Sequence, residues 1–108
     1  MTNDVRLAGK VTRLPEERVL PSGDKMVAFR LSVPRPPGSS RPGSDWVDCA
    51  VWTSKLRRQV SRWAVGDEVE VRGALRRRVF RSAAGVVPLV EIEVREGRRA
   101  VLSRADPA

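Results

Sequence analysis

The chain has 108 residues, 41% of them hydrophobic, and its 21 Lys and Arg against 13 Asp and Glu give a net charge of +8. This length favours a single domain with a modest core, the apolar fraction excludes a disordered chain, and the basic excess favours a polyanionic partner, most often nucleic acid. No apolar run approaches the roughly 20 residues that a membrane span needs and no signal-peptide segment begins the chain, so the sequence predicts a cytoplasmic protein without a membrane partner.

Alternating apolar residues predict the first two strands. The first covers residues 5–14 and is expected to end at Pro15, while Gly9 within it indicates a bend or the close approach of another backbone. A turn over residues 20–23 leads to the second strand. The inner face of that strand is expected to hold Val27, Phe29, Leu31 and Val33, and its outer face Arg30 and Ser32.

Residues 34–44 form a stretch rich in Pro, Gly and Ser between the second and third strands. This composition predicts a mobile hairpin tip rather than a linker between domains. Arg35 and Arg41 are its charged residues, and we include both among the candidate nucleic-acid contacts.

The segment 45–52, Asp-Trp-Val-Asp-Cys-Ala-Val-Trp, predicts a third strand with two unlike faces. Because side chains alternate along a strand, the core face holds Val47, Cys49 and Val51. The opposite face holds Trp46, Asp48, Ala50 and Trp52, which is a poor composition for a buried wall. At about 3.3 Å per residue the two tryptophan Cα atoms lie roughly 20 Å apart, enough for several unstacked bases. We therefore predict that both tryptophans stack on bases.

A helix is predicted over residues 53–64, capped by Thr53 or Ser54. Its apolar stripe at helical spacing consists of Leu56, Val60, Trp63 and Ala64, so Trp63 is expected to be packed rather than functional. Off this stripe lie Arg57, Arg58 and Arg62, which we expect to be solvated, with a basic contribution to a groove as the alternative.

Two further strands are predicted to form a hairpin arm that projects from the core. The fourth covers residues 68–81 and bends at Gly73, with Val69, Val71 and Leu75 inward. Its other face carries Arg76, Arg78 and Phe80, and Arg77 interrupts the apolar pattern. The fifth strand, over residues 87–94, is expected to place Val90, Ile92 and Val94 inward and Glu91 and Glu93 outward. A turn over residues 96–99 and a short pairing segment at 101–102 follow.

Five strands with one helix between the third and the fourth predict an all-β fold, a five-stranded Greek-key barrel of the oligonucleotide-binding (OB) type with a projecting β4–β5 arm. The alternative is an open α+β sheet, which the glycines at bends make less favourable. We expect one OB-fold domain over residues 1–103 and a short C-terminal tail over 104–108.

The segments 3–9, 21–23, 29–33, 45–52, 65–73 and 75–80, in this order and spacing, resemble the bacterial single-stranded DNA-binding proteins. The resemblance implies that bases stack on Trp46, Trp52 and Phe80. It also implies that phosphates are contacted by Arg76 and Arg78, with Arg30 and Arg77 as further candidates. Such proteins are homo-oligomers, usually tetramers, so the resemblance implies a homotetramer or a dimer, with the first strand as a plausible pairing edge.

The chain departs from the family pattern at two places. Family members often carry another aromatic residue in the loop before the third strand, and residues 34–44 have none. Members also usually continue into a long tail with an acidic tip that recruits replication and repair enzymes. The sequence therefore predicts a short form with less stacking and without tail-mediated recruitment of replication enzymes.

Catalytic and metal-binding functions find little support in the composition. The chain has no His and a single Cys, Cys49, so it lacks the commonest general base, the standard triads and a recognisable zinc ligand set. We predict a non-enzymatic protein without metal or cofactor, with Cys49 as a buried, unreactive thiol. The predicted function is sequence-independent binding and protection of single-stranded DNA in replication, repair or recombination, in the nucleoid. The alternatives are an OB-fold interaction module of a primosome-like complex and an RNA-binding OB protein.

Overall fold

The structure, a computed structural model, describes residues 1–100 except for the side chains of Phe80 and Ser82. The predicted pairing segment at 101–102 and the tail at 104–108 lie outside the described residues, so the predicted domain boundary stays a prediction. The elements are β1 (Val5–Val19), β2 (Lys25–Pro34), β3 (Ser44–Val51), α1 (Ser54–Val60), β4 (Glu68–Ser82) and β5 (Gly85–Arg99).

The five strands close into a barrel in the order β1-β2-β3-β5-β4. Neighbouring strands are antiparallel except β3 and β5, which pair in parallel at Cys49 with Ile92 and at Ala50 with Glu93. Strand β1 closes the barrel because its first half pairs with β4 and its second half with β2. The predicted five-stranded OB-type barrel is confirmed, and the alternative of an open sheet is wrong.

The core fills the barrel and is closed at one end by the chain that follows α1. Trp63 packs edge-on against Phe29, with ring centroids 5.5 Å apart and an interplanar angle of 87°. This confirms that Trp63 is a packed residue. Cys49 is also buried, and desolvation raises the pKa of its thiol to about 12, with Asp48 and Glu91 adding to the effect. The thiol is therefore neutral at physiological pH, as predicted.

At two glycines, neighbouring strands approach each other so closely that no Cβ atom fits between them. A Cβ atom on Gly9 would lie 2.3 Å from the carbonyl oxygen of Ser32 on β2. A Cβ atom on Gly73 would lie 1.9 Å from the carbonyl oxygen of Glu93 on β5. Both positions thus exclude any side chain, which confirms the close approach predicted at Gly9 and accounts for the bend predicted at Gly73.

The first strand does not end at Pro15, as the sequence predicted, but continues to Val19. The register of β1 against β2 shifts between Val11 and Arg13 and again between Arg13 and Glu16. Pro15 lies within the second irregularity, where the regular pairing is interrupted, so its missing N–H group costs no ladder hydrogen bond. A proline at a bulge bends the strand without ending it.

The inward orientation that the sequence predicted for β4 and β5 is wrong where the arm leaves the barrel. Leu75 is 50% exposed although it was expected inside, whereas Ala74 is buried. The register between β4 and β5 shifts between Arg72 and Gly73, near the point where the hairpin begins to leave the barrel. Val90 lies farther along the arm and is exposed for the same reason, while Ile92 and Val94 are buried as predicted.

The helix is shorter than predicted. Thr53 is the N-cap and its side chain accepts a hydrogen bond from the backbone N–H of Leu56, but the helix ends at Val60. Ala64 is therefore outside the helix and exposed. Arg57 is not solvated, because its Nη1 donates to the carbonyl oxygens of Lys25 and Trp52 and ties the helix to the ends of β2 and β3.

Candidate nucleic-acid interface

Trp46 stands on the outer surface of the barrel with its ring in solvent. Its side chain is 75% exposed, and the guanidinium carbon of Arg30 lies 4.9 Å from the ring centroid. Arg30 is held in turn by Asp48, the residue opposite it on β3, to which its Nε donates at 2.9 Å. Trp46 is thus supported on one face by an oriented cation and is free to contact a planar ligand with the rest of its surface.

Trp52 follows the last residue of β3 and is half-buried. The guanidinium carbon of Arg78 lies 5.5 Å from its ring centroid. A depression of about 300 Å³ opens beside the ring, and it is lined by Trp52, Arg76, Arg78, Glu91 and Glu93. The base of the arm therefore lies against Trp52, and the arginines that the sequence predicted as phosphate contacts do line this depression.

Arg78 joins the arm to the outer surface of the barrel. Its Nη2 donates to Oε1 of Glu91 at 3.1 Å and lies 3.8 Å from Sδ of Met26. Its Nε is buried 2.8 Å from Oε2 of Glu91, at an angle outside the hydrogen-bonding range. Glu91 beneath it is 4% exposed, and Ala50 on β3 is fully buried between Ala28 and Glu93, although the sequence placed both outward. Both depend on neighbouring strands, which alternation along one strand does not describe.

Most of the arginines that the sequence predicted as nucleic-acid contacts form ion pairs with carboxylates. Four ion pairs link predicted contacts to acidic partners: Arg30 with Asp48, Arg35 with Asp45, Arg76 with Glu93 and Arg78 with Glu91, at N–O distances of 2.9, 3.0, 2.6 and 2.8 Å. These four pairs carry no net charge. The surface around the two tryptophans is therefore less basic than the composition of the chain suggests.

The other predicted contacts are placed less centrally. Arg35 donates to Asp45 and to the carbonyl oxygens of Arg41 and Pro42, so it closes the loop before β3, and its hydrogen bond with Asp45 raises its pKa. Arg41 is exposed in that loop. Arg77 faces Val90 on the opposite side of the arm from Arg76 and Arg78.

Phe80 lies on β4 with Val87 as its backbone partner on β5. Its side chain is outside the described part of the chain, so its predicted stacking role stays a prediction.

Two basic residues of β1 reach the same surface and were missed in the sequence. Lys10 pairs with Ser32, which pairs with Trp46, so the three residues form one row across β1, β2 and β3. Arg13 pairs with Arg30 and so lies beside the row of Arg30 and Asp48. Lys10 and Arg13 are exposed, and within residues 1–100 neither is in an ion pair. The alternation of β1 indicates that Lys10 is outward, but the register that brings Arg13 beside Arg30 depends on a bulge.

Two other kinds of feature are missing from the part of the chain that the structure describes. Within it, no group of three or more His, Cys, Asp or Glu side chains is arranged to hold a metal ion. No helix among residues 1–100 has the length and apolar character needed to cross a bilayer.

A closed five-stranded barrel with an exposed tryptophan, a second tryptophan at the base of a basic arm and arginines against both rings is an oligonucleotide-binding barrel. The sequence profile of the Single-strand binding protein family matches residues 2–96. The chain belongs to this family, as the resemblance of its segments predicted.

Similar proteins agree with this assignment. Proteins named single-stranded DNA-binding protein from Oceanobacillus iheyensis and Halalkalibacterium halodurans are 31% and 32% identical to this chain over 88 residues, or 79% of it. These alignments cover 54% and 52% of the two relatives, so the chain spans about half their length. A Streptococcus agalactiae protein named single-stranded DNA-binding protein 1 is 30% identical over 108 residues, covering 97% of this chain and 66% of the relative.

A solved structure described as a Plasmodium falciparum SSB complex with ssDNA superposes with a TM-score of 0.71. It covers 92% of this chain and 93% of that chain, with 22% sequence identity. At this identity the likeness shows the shared fold, in agreement with the family assignment.

Proposed function

We propose that this chain binds single-stranded DNA without sequence preference and protects it during replication, repair or recombination in the bacterial nucleoid. The observation that carries the proposal is Trp46, whose ring is 75% exposed on the outer barrel surface and supported by Arg30. An exposed indole costs solubility, and a supported ring open to one side is the geometry on which an unpaired base stacks. Membership of the family and the names of its bacterial relatives support the same conclusion.

Stacking supplies the part of the binding free energy that does not depend on charge. Each base stacked on an aromatic ring contributes about 1–3 kcal/mol and does so for any base, since every base has a π-face. Trp46 and Trp52 lie at opposite ends of β3, so a single strand that contacts both runs along that strand. Paired bases have no free faces along the duplex, and we therefore expect unpaired strands to bind much more tightly than duplex.

Phosphate contacts come from the arginines beside the rings and require an exchange of partners. Arg30, Arg76 and Arg78 each hold a carboxylate, and a phosphate that approaches must share or displace it. Lys10 and Arg13 lie on the same surface without an acidic partner among the described residues, so they are available at once. We propose that these five cations make the phosphate contacts around the two rings.

We further propose that the chain forms a homo-oligomer, a homotetramer or a dimer, through the first half of β1. Residues 5–8 pair with β4 on one side, while β2 comes beside β1 only at Gly9 and Lys10. Within the described residues the other edge of this segment has no strand beside it, and an open edge favours pairing with a second copy. The mass of the protein in solution, measured by light scattering after size exclusion, tests this: a monomer at micromolar concentration contradicts it.

Titration of intrinsic tryptophan fluorescence tests the function itself. Oligo-dT is expected to quench the emission strongly, and the binding constant is expected to fall steeply as salt rises. A matched RNA and a duplex of the same length serve as comparisons. Equal or tighter binding of RNA would favour an RNA-binding protein, and no change with any nucleic acid would favour a protein-interaction module.

A further inference from the structure

Three neighbouring depressions follow one another from Trp52 across the barrel surface beside α1 and β5, and the side chain of Gln59, whose Nε2 donates to the carbonyl oxygen of Gly97, separates the last two. The first is the depression beside Trp52. A second depression, of about 380 Å³, shares Trp52 and Glu93 with the first and lies between the helix and β5. A third, of about 420 Å³, shares Lys55 and Gln59 with the second. We refer to the second and third depressions together as the α1–β5 groove.

The far end of the α1–β5 groove is strongly basic. The third depression is lined by Lys55, Arg58, Gln59, Arg62, Trp63, Arg98 and Arg99. Arg98 and Arg99 are in ion pairs with Glu70 and Asp67, at 2.9 and 3.4 Å. Lys55, Arg58 and Arg62 are in no ion pair within the described residues, and each of them lines the depression. This is the reverse of the situation beside the tryptophans, where carboxylates hold the arginines.

The middle of the groove has a more balanced charge. Arg95, the extra residue of β5 at the register shift against β4, lines it without an ion pair in residues 1–100. Glu93 lies there too but is held by Arg76. Glu96 is exposed and opposes the basic residues with one negative charge. The net charge along the groove therefore becomes more positive with distance from Trp52.

We propose that the α1–β5 groove carries the phosphate backbone of a single strand onward from Trp52 and holds it at Lys55, Arg58 and Arg62. This inference rests on the proposed function. The nearer depression of the groove shares Trp52 with the depression beside the stacking residue, so a strand seated on Trp52 lies at the entrance of the groove. Arg58 and Arg62 line the third depression, which the strand reaches last, and Lys55 lines both the second and the third. Neutralisation of phosphates by these residues releases counterions from the strand, which supplies the salt-dependent part of the binding.

The length of the path sets the size of ligand that can use it. From Glu91 to Arg99, β5 covers eight residue steps, or about 26 Å at 3.3 Å per residue. At the 3.4 Å spacing of stacked nucleotides this corresponds to at most about eight nucleotides beyond Trp52. An oligonucleotide that only covers β3 does not reach the basic end, whereas one of about 20 nucleotides covers both surfaces.

The test compares two charge-matched double variants with oligo-dT of 8 and 20 nucleotides. The first, Arg58→Gln with Arg62→Gln, removes two cations of the groove. The control, Arg18→Gln with Lys25→Gln, removes two exposed cations that line none of the three depressions. Each phosphate contact contributes about 0.7 to the log–log salt slope on single strands. For the 20-mer the groove variant is therefore expected to show a slope shallower by up to about 1.4 and an affinity lower by up to about 25-fold at 0.1 M salt. The control variant with the 20-mer, and both variants with the 8-mer, are expected to match the wild type.

Acetylation of lysines in the intact protein gives an independent readout, since the chain has three: Lys10, Lys25 and Lys55. The 20-mer is expected to protect Lys55 and the 8-mer to leave it reactive, while Lys25 stays reactive with both. Equal slopes for the two double variants, or full reactivity of Lys55 with the 20-mer bound, would overturn the groove proposal and leave the proposed function standing. Absence of binding of either oligonucleotide to the wild type would instead overturn the proposed function.

Discussion

Replacement of Trp46 by alanine separates binding from stability more cleanly than any other change in the chain. The ring is 75% exposed, so its removal takes away little buried apolar surface. The loss of its contact with Arg30 costs about 0.5–1 kcal/mol, the value of an exposed cation–π pair. We therefore expect Trp46→Ala to lower the free energy of unfolding by no more than about 1 kcal/mol.

The same substitution removes a stacking surface for one base. At about 1–3 kcal/mol per base, the affinity for oligo-dT is expected to fall by roughly 5-fold to 150-fold. Anisotropy of a dye-labelled oligonucleotide measures this without relying on tryptophan emission. Trp46→Phe keeps a smaller π-face and is expected to bind with intermediate affinity.

Trp63 provides the matched control, because the same substitution there removes a ring from the core. It is buried and packs edge-on against Phe29, so Trp63→Ala is expected to cost about 3–5 kcal/mol of stability. Urea denaturation followed by circular dichroism compares the two variants. Wild-type affinity in a folded Trp46→Ala protein would refute base stacking at this position. Unfolding of Trp46→Ala would show that the ring is packed rather than exposed.

Three further predictions concern the surroundings of the site. Glu91→Gln removes the carboxylate that holds Arg78. It is expected to steepen the salt slope for oligo-dT by up to about 0.7 and to lower stability by about 1–3 kcal/mol. An unchanged slope in salt titrations would show that Arg78 does not reach phosphate. Gly73→Ala forces a Cβ into the carbonyl oxygen of Glu93 and is expected to prevent stable folding, which a cooperative urea transition at the wild-type midpoint would contradict. Burial raises the pKa of Cys49 to about 12, so about one part in 10⁴ of the thiol is thiolate at pH 8. Iodoacetamide is therefore expected to label the folded protein at least about 10³-fold more slowly than the protein unfolded in urea. Equal rates would show that the thiol is accessible.

The sequence predicted the features that depend on alternation along a single strand. The inward positions of Cys49 and Val51 and the outward position of Trp46 follow from the two-residue period of β3. The close approach at Gly9 was predictable because a glycine inside a strand contributes no side chain to packing and often marks a crossing of two backbones. These inferences succeed because each depends on a few neighbouring residues and on one buried face.

The errors occur where a distant segment covers or redirects a strand. Glu91 is buried because Arg78 covers it, and Ala50 is buried between Ala28 of β2 and Glu93 of β5; no local pattern in β3 or β5 contains that information. Pro15 lies at an irregularity in the pairing of β1 with β2, and such a register depends on both strands at once. Leu75 is exposed because the arm departs from the barrel at this point. Each of these depends on the tertiary arrangement, which periodicity does not contain.

The distribution of ion pairs changes how the basic excess of the chain contributes to binding. Composition alone suggests that a net charge of +8 surrounds the stacking residues, but Arg30, Arg76 and Arg78 are compensated there by Asp48, Glu93 and Glu91. Exchange of a carboxylate for a phosphate gives a smaller net release of counterions than neutralisation by a free cation, because the carboxylate set free attracts cations that offset those leaving the strand. Short oligonucleotides confined to the tryptophans meet Lys10 and Arg13 as cations without a carboxylate partner among the described residues, and should therefore depend on salt less steeply than longer strands.

The dependence on salt should then grow with the length of the strand. Once a strand passes Trp52 it meets Lys55, Arg58 and Arg62, whose charges are uncompensated within the described residues. A plot of salt slope against oligonucleotide length is thus expected to rise in a step rather than in proportion to the number of phosphates. Such a step would arise because the carboxylates divide the binding surface into a stacking part and an electrostatic part, which a uniformly basic barrel does not do.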